Sequence, residues 1–269
     1  MINQKTAFIK HVTLNVKNID LMRDFYEKVF IWDTLNETDT TRSFGVNQQT
    51  LLTLIDVSSQ PLNTSALGLY HVAYLLPNEK SFSSFVYHMI DLKIPLEGLS
   101  DHGVSGALYF TDPEGNGIEV YYDKPQSEWP YINGQLEMYT KAYALETLKQ
   151  AYEYPYTKAP KDMTIGHIHL HVDDLQTHIK FYESLGMTLM QNFQGSAAFL
   201  SYDGYHHHIG INTWKPRTKK LEKETLGLHY FTIKYDDKKL FNELIERYQT
   251  RLIQDPTYHN IQLEVDEDA

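Results

Sequence analysis

The chain has 269 residues and no cysteine, which is long enough for two domains that need no disulfide bonds. Its 24 Lys and Arg residues against 35 Asp and Glu residues give a net charge of −11, which argues against nucleic acid as a partner. No apolar run reaches the roughly 18 residues of a membrane span, and residues 1–5 lack the apolar stretch of a secretory signal. We therefore expect a cytoplasmic protein with no membrane partner.

The first predicted strand contains His11. Three aliphatic residues alternate with polar ones along it, so the aliphatic side chains face one side of the strand and His11 faces the other. An Asn/Asp turn then leads into an amphipathic helix from about Asp20 to Phe30, which is followed by short strands with turn residues between them. The pattern predicts a β-α-β-β-β unit.

A second unit of the same kind follows. Its first strand, Gly68–Leu76, carries His71, and a helix from about Lys80 to Leu92 comes next. The last strand of the unit, Ile118–Tyr122, carries Glu119 as a lone carboxylate among apolar residues. A buried carboxylate of this kind requires a partner.

Two histidines upstream supply such a partner through a metal ion. The alternation of their strands places His11, His71 and Glu119 on the side opposite the aliphatic face. Two histidines and one carboxylate form the facial triad of non-haem Fe(II) enzymes. We predict that these three residues bind a divalent metal, and a structural network of polar side chains is the alternative.

The second half of the chain repeats the first. Seven residues recur with a separation of 156 positions: Ile9, His11, Leu14, Val16, Phe25, Tyr26 and Glu27 match Ile165, His167, Leu170, Val172, Phe181, Tyr182 and Glu183. We expect residues 1–125 to form an N-terminal domain with the metal site and residues 163–269 to form a second copy. Residues 126–162 are predicted to be an ordered linker with a helix over Ala144–Tyr152.

The second copy is rich in histidine but lacks a complete triad. Tyr230 stands at the position matching His71, and Gln262 stands at the position matching Glu119. A second metal site, a polar network and a small-molecule pocket remain open for this half. The residues that could form such a site are His167, His206, His208 and Glu264, with His167, His208 and Glu264 as the alternative metal set.

These motifs resemble the vicinal-oxygen-chelate superfamily, and within it the two-domain extradiol dioxygenases of the catechol 2,3-dioxygenase type. The resemblance rests on the opening strand and helix of both copies and on segments 68–71, 101–105 and 108–119. It implies an α+β fold of two tandem vicinal-oxygen-chelate domains. Each domain would be a pair of β-α-β-β-β units with a curved mixed sheet around a cavity.

The resemblance also implies roles for individual residues. His11, His71 and Glu119 match the positions at which the family holds Fe(II), with Mn(II) or another divalent metal as alternatives. His102, in the loop before a strand, and Tyr109, on that strand, match residues that contact the substrate. We therefore expect His102 and Tyr109 to be the catalytic side chains beside the metal.

One family feature is missing from the predicted metal-binding domain. The familiar enzymes carry an acid-base histidine near its fourth strand, whereas segment 46–50 contains none. His102 is then the only obvious side chain of the predicted pocket that could take up a proton near neutral pH. If His102 is not the base, the substrate's own hydroxyl or a histidine outside the first domain would have to serve.

The function implied by the resemblance is that of an Fe(II)-dependent extradiol dioxygenase. Its partners would be O₂ and a small aromatic substrate, a catechol or a related dihydroxylated ring, and a homo-oligomer is left open. One alternative is a glyoxalase-like metal-dependent isomerase or thiol transferase, which usually has four protein ligands. The other is a non-catalytic protein of the bleomycin-resistance type that binds an aromatic drug.

Overall fold

The computed structural model describes residues 6–57, 67–214 and 225–266. The first half forms two units, each a strand and a helix followed by three strands. Their elements are β1 (Ala7–Val16), α1 (Ile19–Phe30), β2 (Asp33–Glu37), β3 (Thr41–Val46), β4 (Gln49–Asp56), β5 (Gly68–Leu76), α2 (Glu79–Asp91), β6 (Gly98–Asp101), β7 (Ser105–Thr111) and β8 (Gly117–Asp123).

The linker comes next, and the second half then returns to the order of strand, helix and strands seen in the first half. The linker contains a 3₁₀ turn at Gln126–Glu128, β9 (Tyr131–Ile132), β10 (Gln135–Leu136), β11 (Lys141–Ala142) and α3 (Leu145–Ala151). The second half contains β12 (Thr164–His171), α4 (Leu175–Ser184), β13 (Thr188–Phe193), β14 (Ala197–Ser201), β15 (Ile209–Asn212), β16 (Gly227–Tyr235), α5 (Lys238–Tyr248), β17 (Leu252–Gln254) and β18 (Asn260–Val265). The described part of the last unit has two strands after its helix.

The four repeated helices begin in the same way. The side chain of an Asn or Asp at the N-cap accepts a hydrogen bond from a backbone amide of the first turn, and these residues are Asn18, Asn78, Asp174 and Asp237. The apolar face of each helix then packs against a sheet. Within the described ranges, no helix is long and apolar enough to cross a membrane.

The strands form two large mixed sheets. The seven-stranded sheet has the order β17-β18-β16-β1-β4-β3-β2, and the nine-stranded sheet has the order β11-β6-β7-β8-β5-β12-β15-β14-β13. Both sheets contain parallel and antiparallel pairs. In the nine-stranded sheet, for example, β5 pairs parallel with β8 and antiparallel with β12. The predicted α+β fold with mixed sheets is confirmed.

Each sheet combines strands from both halves of the chain. At the centre of the seven-stranded sheet, β1 pairs antiparallel with β16, and at the centre of the nine-stranded sheet, β5 pairs antiparallel with β12. The first unit therefore joins the fourth, and the second joins the third. The proposed ranges 1–125 and 163–269 describe the sequence repeat, whereas the sheets cross the boundary between them.

Candidate metal centre and its cavity

Three buried donor atoms meet on the nine-stranded sheet. His71 Nε2 lies 3.0 Å from Glu119 Oε2, and His167 Nε2 lies 3.1 Å from the same oxygen. The two Nε2 atoms are 3.3 Å apart. In the described part of the chain, these residues form the one group of His and carboxylate side chains close enough to share an ion.

Strand register brings the three donors together. Ala73 on β5 pairs with Glu119 on the β8 side and with His167 on the β12 side. His71 lies two residues before Ala73 and therefore projects from the same face. Because the alanine side chain is only a methyl group, it leaves room between the donors.

A glycine allows close packing beside His167. A Cβ atom at Gly166 would lie 1.6 Å from the hydroxyl oxygen of Tyr121, so a larger residue would displace that ring. The Tyr121 ring packs 5.1 Å from the His167 ring, measured between centroids. The glycine thus lets Tyr121 support the imidazole from the side.

The spacing of the three donors fits a metal ion. Ligand atoms about 2.1 Å from a common ion lie about 3.0 Å apart when they subtend a right angle and about 3.4 Å apart at the tetrahedral angle. The observed separations of 3.0, 3.1 and 3.3 Å lie in this interval. Two imidazole nitrogens and one carboxylate oxygen also match the facial triad in chemistry.

The charge states of the donors favour metal binding as well. Burial opposes ionisation of Glu119, but the charges and hydrogen bonds of His167 and His71 hold its pKa well below the ordinary value. Burial lowers the pKa of His167 to about 4, although the Glu119 charge opposes that shift. An ionised carboxylate beside a neutral imidazole is the form that binds a metal.

The prediction that His11 joins His71 and Glu119 is wrong. His11 lies on β1 in the other sheet, where its Nε2 is 2.9 Å from the Thr53 hydroxyl. Because β5 pairs with β12 and not with β1, the third histidine of the cluster is His167. The candidate site therefore combines residues from both halves of the chain.

The alternative metal set of the second half is also not assembled. Glu264 forms an ion pair with Lys10 on the seven-stranded sheet. His208 Nδ1 is 3.1 Å from the Ser201 hydroxyl and 3.2 Å from the Tyr202 amide nitrogen. Of that set, His167 alone belongs to the donor cluster.

His102 and Tyr109 form a hydrogen-bonded pair in the wall of the same cavity. His102 Nδ1 lies 2.9 Å from the Tyr139 carbonyl oxygen, so this nitrogen donates a proton. In the neutral ring, Nε2 then accepts the hydrogen bond of the Tyr109 hydroxyl over 2.7 Å. Burial and the Glu119 charge raise the pKa of Tyr109 well above its ordinary value, which keeps the phenol protonated.

A further histidine, His207, also lines the cavity. Its ring centroid lies 4.0 Å from that of His167. Burial, together with neighbouring histidines, holds the pKa of His207 well below its ordinary value, so the imidazole is neutral at neutral pH. It offers a proton acceptor beside the donor cluster.

The sequence contained a signal for His207. Thr13 pairs with Thr53, and His169, its equivalent at 13 + 156, pairs with Gly210, at 53 + 157. The same offset relates residue 50 to residue 207. The run of three histidines at 206–208 is thus equivalent to residues 49–51, which overlap the end of segment 46–50, where the family's acid-base histidine was missing.

The cavity beside the donors has a volume of about 400 Å³. This volume suits a ligand of one or two rings, since small-molecule sites occupy roughly 300–1,000 Å³. Aromatic walls come from both halves of the chain, and they include Tyr70, Tyr109, Phe193, Phe199 and Trp214. Residues 138–140 of the linker close one side.

The comparisons with known proteins agree with this geometry. The family model of the Glyoxalase/Bleomycin resistance protein/Dioxygenase superfamily matches residues 8–120. A catechol-2,3-dioxygenase from Bacillus subtilis (strain 168) is 36% identical over 233 residues, covering 84% of this chain and 81% of that protein. The chain belongs to this superfamily. The resemblance noted from the sequence is confirmed.

Two further proteins widen the comparison. The chain is 28% identical to biphenyl-2,3-diol 1,2-dioxygenase 2 of Rhodococcus globerulus over 142 residues, which are 48% of this chain and 71% of that protein. Glyoxalase I from Zea mays has a similar structure, with a TM-score of 0.59 over 96% of this chain and 92% of that one. At 13% identity, the likeness to glyoxalase I concerns the fold alone.

Proposed function

We propose that the protein is an Fe(II)-dependent extradiol dioxygenase that cleaves a catechol or a related dihydroxylated ring. The observation that carries the proposal is the triangle of His71, Glu119 and His167 donors in the wall of a cavity with aromatic walls. The names of the two dioxygenase relatives, which give catechol and biphenyl-2,3-diol as their substrates, support the same reaction.

The residues that would hold the metal are His71, Glu119 and His167. When bound, Fe(II) supplies positive charge that lowers the pKa of a catechol hydroxyl, together with free coordination positions for the diol and O₂. Because these side chains come from three neighbouring strands, the sheet fixes their relative positions before a metal binds.

His207 is the best placed proton acceptor for the substrate. Its Nδ1 contacts His206 Nδ1 over 2.8 Å, so Nε2 is the nitrogen left for a catechol hydroxyl. The neutral ring carries a lone pair at Nε2, which can accept from a catechol hydroxyl whose own pKa a bound metal would lower. His207 therefore replaces His102 as the proposed base.

His102 and Tyr109 have a different part in this proposal. The Tyr109 hydroxyl donates its proton to His102, which leaves the oxygen lone pairs of Tyr109 to accept a hydrogen bond from the substrate. His102 is in turn oriented by the Tyr139 carbonyl of the linker. The pair would position the substrate in the cavity that His207 also lines.

The charges of the cavity wall favour an uncharged ring. Glu97 lines the cavity as an exposed carboxylate, and its charge raises the pKa of Tyr70, an effect smaller than that of burial. Among the described residues, no Lys or Arg lines the cavity. We therefore propose catechols with apolar substituents in preference to catechol carboxylates.

A reconstitution experiment tests the function. Protein loaded anaerobically with Fe(II) is mixed with catechols, and O₂ uptake and the yellow colour of a ring-opened semialdehyde are recorded. Zn(II) should bind at the same site, and the Zn(II)-loaded protein should take up no O₂. Full iron occupancy without uptake across a panel of catechols and hydroquinones would contradict the proposal.

The glyoxalase-like alternative is less well supported by the donor count. Such an isomerase or thiol transferase usually has four protein ligands, whereas the cluster within the described ranges has three. Conversion of a thiol adduct without O₂ uptake would support that alternative. Tight binding of an aromatic drug without turnover would support the bleomycin-resistance type.

A further inference from the structure

A chain of hydrogen bonds leads away from His207. His207 Nδ1 lies 2.8 Å from His206 Nδ1, and His206 Nε2 lies 2.8 Å from Asp123 Oδ1. Asp123 is the last residue of β8, and its side chain is 26% exposed. The chain thus connects the cavity wall with a partly solvated carboxylate.

The chemistry of these groups gives each bond a direction. An ionised carboxylate can only accept, so His206 donates from Nε2 to Asp123. In a neutral His206 ring, Nδ1 is then an acceptor, and His207 must donate from its own Nδ1. The remaining nitrogen of His207, Nε2, carries the lone pair.

Packing prevents His206 from reversing this order. Its side chain is fully buried, and the ring lies 5.4 Å from Trp129 of the linker between centroids. Both ring nitrogens are already engaged, one by Asp123 and one by His207. A rotated ring would leave a buried nitrogen of His206 without its partner, which is costly.

We propose that Asp123 and His206 are positioning residues that fix His207 as the tautomer protonated at Nδ1, with the Nε2 lone pair available in the cavity. The kinetic consequence rests on the proposed function, since a catechol hydroxyl would donate to Nε2. The tautomer itself does not depend on the reaction. It can therefore be measured separately.

The first test measures the tautomer of His207. Long-range ¹H–¹⁵N NMR spectra of the Zn(II)-loaded, histidine-labelled protein distinguish the two neutral tautomers, and His207→Gln identifies the His207 signals. We expect protonation at Nδ1 in the wild type and a mixture of tautomers in Asp123→Ala. Protonation of wild-type His207 at Nε2, or an unchanged tautomer in Asp123→Ala, would overturn the proposal.

The second test measures the rate of the reaction. With Fe(II), Asp123→Ala should lower kcat by roughly 10- to 100-fold, the range for loss of an outer-shell partner, with KM and iron content unchanged. Asp123→Asn keeps an acceptor oxygen and should restore part of the rate. An unchanged kcat in Asp123→Ala would contradict the proposal.

A matched control uses the other oxygen of the same carboxylate. The Tyr205 hydroxyl donates to Asp123 Oδ2 over 2.9 Å and accepts from the Tyr121 hydroxyl over 2.6 Å. Tyr205→Phe removes these two hydrogen bonds and leaves the one between Asp123 and His206. We expect its kcat and its His207 tautomer to resemble those of the wild type. An equal loss in Tyr205→Phe and Asp123→Ala would show that Asp123 has a merely structural role.

The two proposals can fail separately. If wild-type protein does not cleave catechols, the proposed function fails, and the NMR result still decides the tautomer.

Discussion

The centres of the two sheets have the same strand register but carry different chemistry. In the nine-stranded sheet, Ala73 lies between Glu119 and His167, and the three donor atoms converge above it. The pairs β8-β5-β12 thus present a carboxylate, a small residue and an imidazole side by side. These are the requirements of a metal site on a sheet surface.

In the seven-stranded sheet, the equivalent positions are filled differently. Thr232 lies between Gln262 and His11, and Tyr230 stands where the other sheet has His71. An amide has replaced the carboxylate and a phenol has replaced an imidazole, so one histidine remains as a metal donor. Burial lowers the pKa of His11 to about 4, which suits a neutral ring hydrogen-bonded to a hydroxyl.

The fold provides the convergence of three positions at each sheet centre, and the side chains decide what converges there. Duplication gave two sites with the same geometry, and ligands for one ion are present in only one of them within the described ranges. Changing equivalent residues in the two sheets tests this asymmetry.

The largest effect is expected for the two equivalent histidines. His167→Ala should abolish stoichiometric Fe(II) or Zn(II) binding, with a loss in affinity beyond the roughly 10- to 100-fold typical of an outer-shell partner. His11→Ala should retain the metal. Elemental analysis of anaerobically purified protein measures both. Metal retained in His167→Ala, or lost in a folded His11→Ala, would show that the metal site does not lie at the centre of the nine-stranded sheet.

A second contrast concerns the proposed base. His207→Gln should lower turnover by about 10²- to 10⁴-fold, the range for a general acid-base group, while iron stays bound. Thr50→Ala, at the equivalent position of the other sheet, should leave kcat unchanged. Steady-state O₂ uptake and iron content are the measurements. A fully active His207→Gln enzyme would remove His207 from the proton transfer.

The substrate-positioning pair should have a smaller effect. His102→Phe removes the acceptor of the Tyr109 hydroxyl, and loss of one such hydrogen bond corresponds to roughly a 3- to 10-fold decrease in kcat/KM. Tyr109→Phe should have a similar effect, and the double variant should be no worse than the more affected single variant. A loss as large as that of His207→Gln would instead identify His102 as the base, and additive losses would show that the residues act independently.

The last contrast concerns stability and not activity, and it separates two equivalent Asp-Pro turns, Asp112-Pro113 and Asp255-Pro256. Burial raises the pKa of Asp112 to about 6. Burial opposes ionisation of Asp255 too, but the charges of His259 and His178 bring its pKa down to about 2. The unfolded value is near 3.9 for both carboxyls. A folded pKa above that value means that ionisation of Asp112 destabilises the fold as the pH rises from about 4 to 6.

Urea unfolding between pH 4 and 7.5 tests the Asp112 effect. Its contribution to the unfolding free energy should fall by about 2–3 kcal/mol over this range, and Asp112→Asn should remove that decline. Asp255→Asn should retain the decline, because the Asp255 contribution is lost only as the pH falls from about 4 towards 2. The same pH slope in wild type and Asp112→Asn would contradict the prediction.

Much of the fold follows from local sequence signals. The predicted strand Gly68–Leu76 agrees with β5, and the predicted helix over Ala144–Tyr152 agrees with α3 to within one residue at each end. Alternating side chains and capping residues act over a few positions, so a single sequence contains them. The ligand types were predictable for the same reason, since His71 and Glu119 each stand out in an apolar strand.

The identity of the third ligand did not follow from local signals. His11 and His167 occupy equivalent places in the repeat, and either could complete a triad with His71 and Glu119, depending on which strand pairs with β5. That choice is made by packing between units far apart in the chain. The same pairing decides the base, because a histidine outside the first domain was an open alternative and only the pairing of β5 with β12 brings His207 beside the donor cluster.

The pairing of units across the two halves has a consequence for synthesis on the ribosome. The central strands β1 and β5 leave the ribosome long before their partners β16 and β12 are translated. Until then each has an unpaired edge of backbone amides and carbonyls next to apolar side chains, which is the usual starting point for aggregation. These edges therefore stay unpaired until the second half is translated, and truncation before residue 164 would release a product with neither sheet centre completed.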